Sequence, residues 1–215
     1  MTSLLRIDAS SRQQDSHSRS LGDYFQKRWL EKYPEKNGWL SAKRKSNLVY
    51  RDLLSPPIGH IAQSTITGFY TPPEAMTSDL SAATALSDQL IDELQKADTL
   101  LITTPIYNFS VPSSLKAWID QIVRIGHTFS FDGQSFGGLV KVRQACVICA
   151  YGASGYLEGG DFRGANFLEL YLAFILDFLG IKDVRFISAE SLTGDEATVQ
   201  TALEKARTDI DQLFL

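Results

Sequence analysis

The chain has 215 residues, 44% hydrophobic and 21% charged, with no low-complexity tract, and it is long enough to bury a sizeable core as a single domain spanning 1–215. A net charge of -4 and a pI near 5.4 weigh against a nucleic-acid partner, which asks for concentrated positive charge; the one basic run, Lys43 to Lys45, reads as a solvated loop. No apolar run approaches the roughly 18 residues of a membrane span and the N-terminus has a strand pattern rather than a signal-peptide core, so no membrane partner and a cytoplasmic location are expected.

Short apolar runs alternate with helical patterns along the chain, which predicts an α/β domain with a parallel sheet. The first run, "LLRIDAS" from Leu4, precedes a helix after Ser18 marked by Leu21, Phe25 and Trp29. The second, "NLVYRDL" from Asn47, leads into Leu53 to Thr77, a segment with Pro56, Pro57, Pro72 and Pro73 that is too long for a simple connection and reads as a lid or contact arm. A helix marked by Leu86, Leu90 and Leu94 ends near Asp98, and "TLLITT" from Thr99 is the third strand. Pro112 then opens a helix whose stripe is Leu115, Trp118, Ile119 and Ile122. "TFSFDGQSFGGLV" from Thr128 alternates Phe129 and Phe131 and turns at Asp132-Gly133, predicting a hairpin near 128–139. "ACVICA" from Ala145 is the fourth strand. The helix "NFLELYLAFILDFLG" that follows is apolar nearly all round, so it must be covered on more than one side. "VRFISAE" from Val184 and a last helix from about Asp195, with Val199, Leu203, Ala206, Ile210 and Leu213, complete the alternation.

Cys146 and Cys149 mimic a redox C-x-x-C, but residues three apart on a strand point to opposite faces, so buried, inert thiols are expected. His17, His60 and His127 show no metal-ligand spacing, and no metal site is expected.

In an open doubly wound sheet, ligands bind outside the carboxyl ends of the strands. Three loops leave such ends. The first offers hydroxyls from Ser10, Ser11, Ser16 and Ser18 with donors from Arg12 and His17, and it opens into a helix N-terminus, which suits a phosphate monoester. The plainer alternative makes Ser16 or Ser18 only a helix cap. The loop lacks both G-x-x-x-x-G-K-[ST] and G-x-G-x-x-G, which disfavours a nucleoside triphosphate or a dinucleotide pyrophosphate there. The second loop sets Asn108 between Tyr107 and Phe109, suiting a flat heteroaromatic with alternating donors and acceptors; alternatively the rings cap the core and Asn108 makes a turn. In the third, Gly152 and Gly155 permit close backbone approach, while "GASGY" lacks the spacing of a nucleophile elbow.

Together the serine loop at Ser10, Ser16 and Ser18, "YRDL" at Tyr50 to Leu53, "P-x-YNF...P-x-x-LK-x-W-x-D" from Pro105 to Asp120, "R-x-G-x-TF" at Arg124 to Phe129 and "FLGIKDVRFISAE" resemble the FMN-dependent NADH:quinone and azo-dye reductases. The resemblance implies a flavodoxin-like fold, a five-stranded parallel sheet with helices on both faces. It implies FMN, its phosphate on Ser10, Ser16, His17 and Ser18 and its ring along Ile106, Tyr107, Asn108 and Phe109. Ala150, Tyr151, Gly152, Ala153 and Ser154 stand where the family commonly has a serine or threonine and two adjacent glycines, so backbone contacts to the flavin rim are expected there rather than side-chain ones. NADH or NADPH would give hydride and a quinone or azo compound would receive it on the same surface, by ping-pong kinetics, with protons from water or a tyrosine. The flavin would carry the chemistry, and no catalytic side chain is assigned. A homodimer is implied, with Phe129, Phe131, Phe69 and Tyr70 as an aromatic wall of the substrate pocket, on the same chain or across the interface. The rivals are a flavodoxin-type electron carrier, which asks for a more acidic surface, and a flavin-free interaction domain.

Overall fold

Three strands are buried almost from end to end, as strands covered by helices on two sides must be, and two partly exposed strands flank them. In the computed structural model, which describes residues 2–34 and 46–215, these are β1 (Thr2–Asp8), β2 (Ser46–Asp52), β3 (Thr99–Pro105), β6 (Gln144–Ala150) and β7 (Asp183–Ala189). They pair in parallel in the order β2-β1-β3-β6-β7, the flavodoxin-like arrangement expected from the sequence, while β4 (Phe129–Phe131) and β5 (Phe136–Gly138) form a separate antiparallel hairpin. The Lys43 to Lys45 run lies outside the described residues.

Alternation along each strand divides the core. Leu4, Leu101, Cys146, Ile148 and Ile187 pack under α1 (His17–Lys32) and α6 (Glu196–Gln212), where Leu21, Phe25, Trp29, Leu203, Ala206 and Ile210 are buried. Leu5, Ile7, Leu100, Ile102, Val147 and Cys149 face the other way, onto α3 (Ser78–Gln95), α4 (Ser113–Ile122) and α5 (Phe167–Phe178). The two cysteines therefore serve opposite cores. Burial pushes the Cys146 thiol up to about 12 and raises Cys149 further, so both stay protonated.

Two segments differ from the alternation read in the sequence. Leu53 to Thr77 carries its own helix, α2 (Gln63–Tyr70), which lies so close to α3 that a Cβ on Gly68 would sit 2.5 Å from Thr84 Cγ2. On α5, Leu168, Leu172 and Leu176 are buried, but Phe167, Leu170 and Phe174 are exposed, Phe174 by 66%; among the described residues nothing covers one side of this helix.

Candidate functional site

Register brings β1, β2 and β3 to a common carboxyl edge, with Asp8 level with Asp52 on one neighbour and Thr103 on the other. The loop after β1 leaves this edge and enters α1. Ser16 caps that helix: its Oγ accepts the Arg19 N–H at 3.4 Å and its carbonyl accepts the Ser20 N–H. The His17 and Ser18 amides belong to the first turn and have no partner within the helix. Ser18 is buried with its hydroxyl 3.3 Å from that of Ser16, and Ser10 is buried with its hydroxyl accepting only the Arg12 N–H.

The loop after β3 is a tight turn. Tyr107 and Ser110 exchange N–H to carbonyl bonds at 3.0 Å in both directions, and the two residues between them are left-handed, Asn108 at φ 47° and Phe109 at 69°. That is the pattern of a type I′ turn, which favours Asn then Gly. Asn is at ease there; Phe is strained by about 1–2 kcal/mol. The strained turn sets the Tyr107 hydroxyl 3.3 Å from the Ser11 N–H, joining the first loop to the second, and the Phe109 carbonyl accepts the Phe167 N–H that opens α5.

The loop after β6 supplies backbone. Tyr151 is fully buried, its hydroxyl engaged with Asn166, and burial raises its phenol well above the ordinary range. Its ring stacks on Tyr156 at 5.1 Å, Tyr156 stacks on Phe162 at 5.5 Å, and Phe109 leans on Tyr156 at 6.3 Å. The loop after β7 closes the site: Thr193 donates its N–H and its hydroxyl to the Gly152 carbonyl, and a Cβ on Gly152 would meet Thr193 at 3.2 Å.

These loops enclose a crevice of about 200 Å³ lined by Ser10, Arg12, Ser16, His17, Ser18, Ile106, Tyr107, Ala150, Tyr151, Gly152, Leu192 and Thr193, among others. Asn108 and Phe109, exposed in the turn next to Tyr107, do not line it, and neither do Ala153 and Ser154, which are also exposed. The four aromatics expected as a substrate wall are elsewhere on this chain. Phe129 and Phe131 pack in the hairpin against Phe136, with Phe178 behind, and Phe69 lies 4.8 Å beneath the Arg124 guanidinium. With Tyr70, which is 76% exposed, Phe69 lines a separate cleft beside α3 and the end of α4. Leu192 and Thr193 were not singled out in the sequence, although the parallel rule puts the end of β7 on the same edge.

A larger cleft of about 440 Å³ lies at the opposite, amino edge, between Phe25, Asp183, Arg185 and Phe214. Its charges are already paired, Arg185 with Asp183 at 3.0 Å. The smaller crevice is the better site because it gathers hydroxyls beside first-turn amides that have no partner within the helix. Those donors fit a phosphate monoester, and the adjoining aromatic rim fits a flat ring, so the residues present suit FMN.

A family model described as flavodoxin-like fold matches residues 2–214. The chain is 45% identical over 184 residues to an FMN-dependent NADH:quinone oxidoreductase of Xanthobacter autotrophicus, covering 86% of this chain and 84% of that one. It is 36% identical over 212 residues to a protein of the same name from Hydrogenovibrio crunogenus, covering 96% of each. The chain belongs to the FMN-dependent NADH:quinone oxidoreductase family. Its fold is also that of an FMN-dependent NADH-azoreductase of Bacillus anthracis solved in complex with FMN, with a TM-score of 0.83 at 22% identity over the whole of both chains.

Proposed function

We propose that this chain is an FMN-dependent oxidoreductase that takes hydride from NADH or NADPH and reduces quinones and aromatic azo compounds. The observation that carries the reading is the convergence of the serine loop and the strained Tyr107–Ser110 turn on one crevice. Ser10, Ser16, His17 and Ser18 hold the phosphate; Ile106, Tyr107, Asn108 and Phe109 flank the ring; the backbone of Ala150 to Ser154 meets its rim. When bound, FMN supplies the acceptance and release of hydride. The chain would orient the group, and donor and acceptor would use the same surface in turn, which would give ping-pong kinetics. Protons come from water or a tyrosine.

The crevice is smaller than the roughly 300–1,000 Å³ that encloses a drug-sized ligand, so much of the group lies at the mouth, where a second copy can cover it. The exposed α5 stripe supports a homodimer. It runs from Phe167, bonded to Phe109 at the crevice, through Leu170 and Phe174 to Phe178 against the hairpin. A two-fold pairing of such stripes would lay the hairpin of one protomer, with Phe129 and Phe131, towards the crevice of the other. Phe69 and Tyr70 are proposed for the same pocket on the opposite flank. No helix among the described residues is long and apolar enough to cross a membrane. The proposed setting is the cytoplasm, on small molecules, without nucleic acid.

Purification tests the reading. A yellow protein whose flavin bleaches on anaerobic mixing with NADH or NADPH supports it; a colourless protein that cannot bind added FMN sinks it, and a yellow one that neither nicotinamide bleaches is an electron carrier instead.

A further inference from the structure

Beneath the serine loop lies a set of charges that no binding role described above uses. Asp8 is 1% exposed, Arg6 3% and Arg19 9%. Arg6 forks onto Asp8, with Nε at 3.0 Å from one oxygen and Nη2 at 2.9 Å from the other; Thr103 donates to Asp8 at 2.8 Å and Tyr50 at 3.1 Å. Arg19 makes a second fork onto Asp52, both arms at 2.9 Å, and its Nη2 also donates to the Ser10 carbonyl at 2.9 Å. Asp52 also accepts the Leu54 N–H at 3.0 Å. Burial alone would raise the Asp52 carboxyl, but the Arg19 fork and that N–H hold it below the ordinary carboxylate range.

Such a network is a poor way to gain stability. Buried ion pairs are often no better than apolar residues of the same volume, because desolvation offsets their attraction. What this one does that apolar residues could not is grip a backbone atom of the site. Arg19 is the third residue of α1, so its amide is taken by the Ser16 cap while its guanidinium reaches under the loop to Ser10. One residue thereby ties the helix N-terminus to the far side of the serine loop, and Asp52, from the end of β2, locks its planar fork in orientation.

We propose that Arg19, held by Asp52, is the positioning residue for the phosphate end of the site: it fixes the spacing between Ser10 and the Ser16 to Ser18 turn, and so confers preference for a phosphorylated flavin over an unphosphorylated one. The inference rests on the FMN reading above, which the same experiment tests separately. The network makes no direct bond to Tyr107, Asn108 or Phe109; its one link to the ring half is the Ser10–Ser11 peptide, whose carbonyl Arg19 holds and whose N–H meets the Tyr107 hydroxyl at 3.3 Å.

The test compares FMN and riboflavin binding to apoprotein by flavin fluorescence quenching, for wild type, Arg19→Lys and Asp52→Asn. Arg19→Lys keeps the charge and loses the fork. It is expected to weaken FMN by about 10- to 100-fold, the scale of one or two charge-assisted bonds, while riboflavin changes by less than about threefold. Asp52→Asn is expected to shift FMN in the same direction by less. Equal losses for both flavins, or no loss for FMN, overturn the proposal. So does the failure of both variants to fold, because it would make the network a support of the whole sheet rather than of the phosphate turn. Wild type that binds neither flavin overturns the FMN reading instead.

Discussion

The two edges of the sheet handle unfavourable backbone differently. At the amino edge and its hairpin the left-handed positions are Gly126, Gly133 and Gly180, residues that adopt that conformation at no steric cost. At the carboxyl edge glycines share the duty with Asp15, Asn108, Phe109 and Ser191, which include every left-handed residue other than glycine among the described residues. Where the chain needs only to turn, glycine is used. Where a side chain is kept despite the strain, something other than turning is served, and outliers of this sort cluster at functional sites. Cavity size does not separate the edges, since clefts larger than the serine-loop crevice lie at the amino edge and beside the carboxyl end of β7 alike.

The largest expected effect breaks the support under the carboxyl edge. Asp8→Ala leaves Arg6 without its fork and takes from Arg19 one of its two carboxylate neighbours, and should cost about 3–5 kcal/mol in urea unfolding; a loss under about 1 kcal/mol would mean that water already reaches the network. Next, Ser18→Ala removes a buried hydroxyl at the helix N-terminus, with an expected loss of about 1.5–3 kcal/mol in FMN binding and none for riboflavin. Titration of the apoprotein decides, and parallel losses would move Ser18 away from the phosphate.

Gly180→Ala supplies the contrast from the amino edge. With φ at 99° and Gly138 3.3 Å from the added Cβ, it should cost about 1–2 kcal/mol of stability, and the folded fraction should bind FMN as before. Altered affinity would erase the distinction between the edges. The smallest effect has the opposite sign. Phe109→Gly should relieve the strained turn and stabilise the apoprotein by up to about 1 kcal/mol while slowing reduction by NADH. Thermal melting and stopped-flow mixing read the two halves; a lower melting temperature would show that the ring's contact with Tyr156 outweighs the strain.

The alternation of strands and helices was legible because each core strand is apolar on both faces and each covering helix shows a buried stripe. α2 was not, because its contact with α3 is made by Gly68 against Thr84 rather than by large apolar residues at helical spacing. The all-apolar character of α5 was legible, but its meaning was not: a sequence does not say whether the outer stripe meets its own chain or another. In the site, the serine loop and the turn declared themselves through residue type. Arg19 and Asp52 did not, since an Arg on a helix and an Asp at a strand end look like surface charges until the register sets them beside Asp8.

The two cysteines have a further consequence. Quinones are electrophiles that add to thiolates, so a chain that works on them risks alkylation by its own substrate. Cys146 and Cys149 are buried in opposite cores and held protonated, and they are the only cysteines in the sequence. The fold that hides them also makes the protein a poor target for the compounds it is proposed to consume.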